Sequence, residues 1–199
     1  MEESYCFILV GCDGVGKNLI MNKVACNSKE IDLESKFVFT TINRHTCKFT
    51  VAESEAIARY PQMCMTSCIV FVYSVTSQNS LEDLSKFTPN LLEPKSELDC
   101  ADRNSLKILI GNKTDLIDEK EVSFEEGQKF SAELNCQQFY EISAKVDSQE
   151  RILQIFERCI MHIQNDHDQL IFEITMAREE ESSIPPDHRV KSEKRCSLS

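Results

Sequence analysis

The chain lacks any apolar run of the 18 or so residues that a membrane-spanning helix requires. It also lacks a C-x-x-C pair, although it has 10 cysteines, and no histidine or second pair stands at metal-ligand spacing from Cys64 and Cys68. That excludes the common zinc modules and leaves thiols scattered in a reducing compartment. No basic stripe is present: Lys and Arg number 22 against 33 Asp and Glu, a net charge of −11, so a nucleic-acid partner is not expected. No internal repeat occurs. The opening Met1-Glu2-Glu3-Ser4 lacks the charged and apolar regions of a secretory signal, so the expected compartment is the cytosol.

What is present fits one domain with a tail: 199 residues, 41% hydrophobic. Residues 5–10, 68–74 and 106–110 are short apolar runs of the kind that buried parallel strands carry. Weaker strands are expected within 27–41, over 46–51 and over 138–142. Between them the sequence predicts helices over Lys17–Ala25, less clearly Ala52–Met63, then Ser80–Leu92 with Ser80 as N-cap. Ser123-Phe124-Glu125-Glu126 reads as a capping box opening a helix to Leu134. Residues 93–105 read as a surface loop. Ile152, Ile155, Phe156, Cys159, Ile160 and Ile163 give a final helix, 148–176, its core face. From Arg178 the chain turns polar, with Pro185-Pro186, and reads as disordered. The expected domains are 1–176 and a flexible basic tail, 177–199.

Strands alternating with helices argue for an α/β fold, a mainly parallel sheet covered on both faces. Such sheets bind ligands at the carboxyl ends of their strands. The first strand ends in Gly11-Cys12-Asp13-Gly14-Val15-Gly16-Lys17-Asn18, the G-x-x-x-x-G-K of a phosphate loop with Asn where Ser or Thr is usual. Its glycines let backbone N–H groups face a phosphate, Lys17 adds charge, and the helix N-terminus adds its dipole. Two further motifs follow at predicted strand ends: Asn112-Lys113-Thr114-Asp115, with Leu116 next, and Ser143-Ala144-Lys145.

With these three motifs in this order, the chain resembles the Ras superfamily of small GTPases over roughly residues 4–164. The resemblance implies a P-loop NTPase fold, a Ras-like G domain, binding GTP and GDP with Mg²⁺. It implies that Asp115 accepts from the guanine N1–H and amine, that Asn112 and Lys113 brace base and phosphate loop, and that the Ala144 N–H meets the guanine carbonyl. It implies effector and exchange-factor partners and a monomer.

Four departures weaken the hydrolytic half of that reading. Asn18 replaces the metal-ligating hydroxyl. The D-x-x-G motif is absent: aligning residues 46–53 puts Phe49 at its Asp and Ala52 at its Gly. The same register puts Glu53 where the water-positioning Gln stands. Asp13 occupies a position that is glycine in Ras itself. The first switch is shortened, so the hairpin after it is expected to be clipped, and Thr40 or Thr41 is the candidate switch threonine over Mg²⁺. The activity implied is therefore that of a GTP hydrolase family with impaired hydrolysis; the alternative is a pseudo-GTPase interaction module.

The closing Cys196-Ser197-Leu198-Ser199 matches a C-a-a-X box of the farnesyl type. Arg189, Lys191, Lys194 and Arg195 lie upstream as the second, electrostatic signal that a single lipid chain needs. The expected location is the cytoplasmic face of a membrane, the plasma membrane first.

Overall fold

The computed structural model describes residues 4–25, 30–32, 37–52, 68–87 and 105–183, with side chains for all but 30–32 and 173–183. In residues 1–160 one seven-stranded sheet forms the centre, in the order β2-β3-β4-β1-β5-β6-β7. The strands are β1 Ser4–Val10, β2 Glu30–Asp32, β3 Phe37–Ile42, β4 His45–Ala52, β5 Cys68–Ser74, β6 Leu106–Asn112 and β7 Gln138–Glu141. β2, β3 and β4 pair antiparallel, and every other pairing is parallel. The α/β expectation is met, with one antiparallel wing.

Burial follows from sequence patterning. β5 and the later residues of β1 and β6 are buried on both sides and read as continuous apolar runs. β3 alternates, with Val38, Thr40 and Ile42 inward. The β3–β4 hairpin closes through Asn43 and Arg44, both at positive φ (48° and 72°), as the twist of a two-residue hairpin demands. It is as short as the sequence spacing implies.

The helices are α1 Lys17–Ala25, α2 Gln78–Glu82 running into a 3₁₀ turn at Asp83–Lys86, α3 Phe124–Glu133 and α4 Gln149–Ser183. On one face Phe156 of α4 meets Phe7 and Phe49 edge-on at 5.3 and 4.9 Å, while α1 packs on β3 and β4. Such aromatic contacts add about 0.5–1.5 kcal/mol each beyond area burial. On the other face Ile8, Val10, Ile69, Phe71 and Leu109 pack with Leu81 and Leu84. Alternate residues of β1 thus feed two cores.

Several expectations need correction. Ser77, not Ser80, caps α2; its side chain accepts from the Ser80 N–H. The Ser80 hydroxyl instead donates inward to the carbonyls of Ser77 and Ser74. Helix continues beyond Met176 to Ser183, so the tail does not become irregular at 178. Glu and Arg favour helix even where the apolar stripe ends. The predicted helix over 52–63 begins with a residue that ends β4, and its remainder lies outside the described residues, as do the 88–104 segment and the tail from 184. Residues 161–183 form a second unit that is helical throughout. Among the described residues, no helix is long and apolar enough to cross a membrane.

Candidate functional site

The carboxyl ends of β1, β6 and β7 bring the three motifs together. β1 delivers Gly11, where a Cβ would run into the Val72 carbonyl, so the loop lies flat on β5 only because this residue is glycine. The loop then turns through Gly14 and Gly16 at φ +77° and +99°. Lys17 is buried at 7% exposure, and its ammonium donates to the carbonyls of Gly11 at 2.6 Å and Cys12 at 2.7 Å. A charge can be buried only when so paired. The exposed Asp13 carboxylate lies 4.0 Å from the same ammonium.

Asn112, at the end of β6, joins two loops. Its Nδ2 donates to the Val15 carbonyl at 2.9 Å, and its Oδ1 accepts from the Ala144 N–H at 2.9 Å. A Cβ on Gly16 would collide with that Nδ2, so glycine here is what lets the asparagine reach the loop. Lys113 then adopts φ +70°, a conformation uncommon for a side chain this large. The turn is held by Leu116 N–H on the Lys113 carbonyl at 3.0 Å and by Thr114 N–H on Ile142 at 3.2 Å. This turn presents Asp115. The Ser143 hydroxyl donates to its Oδ1 at 2.6 Å, and that bond holds the half-buried carboxyl below the usual carboxylate range.

The Ala144 N–H, expected to meet a base carbonyl, donates to the Asn112 Oδ1 here. The exposed Lys145 follows.

On the metal side the described residues offer fewer donors. Asn18 is exposed on the first turn of α1. Phe49 pairs opposite Phe7, is 0% exposed and stacks on it at 4.8 Å. It is a core residue three positions short of the phosphate loop, so it is not the equivalent of the magnesium-linked Asp. The residues that β4 places beside Leu9 and Val10 are Val51 and Ala52, both apolar and buried. Among the described residues the end of β4 thus carries Val51 and Ala52, not Phe49, beside the start of the phosphate loop. Ala52, expected at the Gly position, ends the strand itself. Glu53 lies outside the described residues.

Thr41 is also corrected. It pairs with Thr46, which pairs with Ser4, while the phosphate loop leaves from Val10. Six residues of strand, about 20 Å, separate it from the loop. The Thr40 hydroxyl donates to the Val24 carbonyl at 3.2 Å and is equally remote. Among the described residues no group of three His, Cys, Asp or Glu is placed to hold a metal ion. Mg²⁺ demands short, near-octahedral oxygen ligation, and the described residues at this end are an exposed amide, Asn18, and two apolar side chains, Val51 and Ala52. The six described cysteines are free, and burial pushes the thiols of Cys6, Cys12, Cys47, Cys68 and Cys136 up, away from the thiolate a metal needs.

Two residues that brace the 143–147 loop escape a sequence reading. The Asp147 carboxylate accepts from the Ser143 N–H at 2.8 Å and closes the 143–147 loop. Lys23 donates to the Asp147 carbonyl at 2.8 Å across 124 residues. The spacing of Asp147 after Ser143 is the kind a side-chain-capped turn uses; nothing in the sequence marks Lys23.

Comparison with known proteins agrees with this architecture. The Ras family model matches residues 6–165. The chain is 32% identical over 160 residues to the GTP-binding protein ypt3 of Schizosaccharomyces pombe, covering 72% of this chain and 70% of that one. It is 26% identical over 179 residues to the Ras-related protein RabC of Dictyostelium discoideum, covering 82% and 87%. It is 26% identical over 209 residues to the Ras-related protein RABC2b of Arabidopsis thaliana, covering 98% and 95%. With its phosphate loop, N-K-x-D turn and S-A-K loop hydrogen-bonded to one another at one sheet edge, the chain belongs to the Ras family of small GTPases.

Proposed function

We propose that the chain is a membrane-tethered guanine-nucleotide switch with slow intrinsic hydrolysis and a weakened Mg²⁺ site. One contrast supports this most directly. Asn112 ties the phosphate loop to the base loop through both ends of its amide, whereas the metal side offers Asn18, Val51 and Ala52.

The chemistry divides accordingly. Lys17 and the backbone N–H groups of 13–18 carry the phosphate charge, aided by the α1 dipole. Asp115, kept ionised, accepts the two donors that guanine offers and adenine lacks; an adenine would leave this carboxylate unpaired. Ser143 orients it. Mg²⁺, if bound, would offset phosphate charge, and Asn18 is the described side chain that would hold it. Asp13 adds a negative charge at the loop mouth, unfavourable beside a terminal phosphate. Each missing hydrolytic part is worth orders of magnitude in rate, so signalling would be set by loading through exchange factors and read by effectors. Cys196 and the basic residues upstream, outside the described residues, would supply the anchor on the cytoplasmic face of a membrane.

The test is to denature the purified chain and identify what it releases. Guanine nucleotide supports the switch; none supports the pseudo-GTPase module. Single-turnover GTP hydrolysis with and without Mg²⁺ then decides the rate, and fast metal-dependent turnover overturns the slow-hydrolysis reading. A tagged Cys196→Ser variant should leave membranes; if it stays, the anchor lies elsewhere.

A further inference from the structure

Lys23 lies on α1, the helix that leaves the phosphate loop, and bonds the backbone carbonyl of Asp147 at 2.8 Å. Asp147 is the latch of the base loop. Its Oδ2 accepts from the Ser143 N–H at 2.8 Å and its Oδ1 from the Arg151 guanidinium at 2.9 Å. Ser143 in turn donates its hydroxyl to Asp115 at 2.6 Å. A series of hydrogen bonds therefore runs from α1 to the carboxylate that reads the base. Neither residue belongs to the buried core: Lys23 is half-buried and Arg151 is exposed. What the Lys23 bond does is fix the height of the 143–147 loop over the helix that also carries Lys17. Phosphate end and base end are thereby referred to one rigid element.

We propose that Lys23 is a positioning residue for base recognition, holding the 143–147 loop so that Ser143 stays on Asp115, and that it sets how long a guanine nucleotide remains bound. This rests on the guanine-nucleotide reading above. The bond is charge-assisted, ammonium to carbonyl, and is stronger than a neutral one. Its loss frees the loop to rock, which lengthens the Ser143–Asp115 contact and loosens the geometry with which Asp115 meets two donors at once.

The experiment uses the full chain carrying Lys23→Met, which keeps the aliphatic stem and removes the donor. Release of a fluorescent GDP analogue should quicken about three- to tenfold, the worth of one hydrogen bond at a half-exposed position. The preference for GDP over IDP should shrink, because IDP lacks the exocyclic amine that a well-aimed Asp115 takes. Lys23→Arg should restore both. A Lys23→Met variant with wild-type release and wild-type GDP/IDP preference overturns the proposal. So does a variant whose melting temperature falls while the preference stays fixed, since that marks a merely structural bond. If the unmodified chain takes up no GDP, the guanine reading itself fails first, and the positioning role falls with it.

Discussion

The base end and the metal end of this site differ in how many independent bonds fix each reading group. Asp115 is held by Ser143, Ser143 by Asp147, and Asp147 by Lys23 and Arg151. Asn112 binds both loops. At the metal end, Asn18 stands exposed and the adjoining strand contributes Val51 and Ala52. The lesson is that recognition of a nucleotide and turnover of its terminal phosphate are separable physical tasks. The first needs hydrogen-bond complementarity to groups present in both GDP and GTP. The second needs charge stabilisation at a metal and an oriented water. A chain can keep one set of donors and acceptors while its other set changes.

The sharpest way to break this contrast is at Asp115. Asp115→Ala should lower the preference for GDP over ADP by about two to four orders of magnitude, because a site built to pair both guanine donors would lose its only acceptor for them. Competition between the two nucleotides for a fluorescent GDP analogue measures it; a retained preference would remove Asp115 from the base. The pH profile is a second arm. The folded carboxyl is lowered, by Ser143 first, so its contribution is complete above the ordinary value of about 3.9 and is lost only as pH falls through the lowered one. Guanine affinity should therefore hold flat from neutral pH to about pH 5.

At the metal end a gain is expected. Asn18→Ser restores a hydroxyl on the first turn of α1. Nucleotide affinity in Mg²⁺ over that in EDTA should rise on the order of tenfold, the lower bound of what even outer partners of a bound metal are worth. If the ratio does not move, position 18 does not face the metal, and the two ends are less different than their donors imply.

Legibility in the sequence followed how local each constraint is. The phosphate loop, the N-K-x-D turn and the S-A-K loop are each short and confined by backbone geometry, so Gly11, Gly16, Lys17, Asn112 and Asp115 could be read directly. The α3 capping box was equally local, and both of its bonds are present. The β4 register was not local. Counting back from β5 crosses residues 53–67, and an error of two or three positions there converts the core residue Phe49 into a false metal position. Thr40 and Thr41 failed for the same reason: a threonine in a strand looks alike at either end until pairing with Thr46 and Ser4 fixes its height. Lys23 was invisible because a lysine on an amphipathic helix carries no sign of the carbonyl it will meet.

A last test concerns a buried polar group of β5 that finds no partner among the described residues. Tyr73 of β5 is 0% exposed, and its hydroxyl is wedged against Gly111 and Gly127 with no hydrogen-bond partner among the described residues. Burial pushes the phenol up, so it remains a protonated donor. An unpaired buried donor costs about 1–3 kcal/mol. Tyr73→Phe removes that cost and leaves a void of one oxygen, worth a few tenths of a kcal/mol at about 24 cal/mol per Å³. The balance favours the variant by about 0.7–2.7 kcal/mol, a rise in melting temperature of about 1–10 °C for a chain of this size. A fall instead would mean that the hydroxyl does have a partner, such as a buried water between β6 and α3.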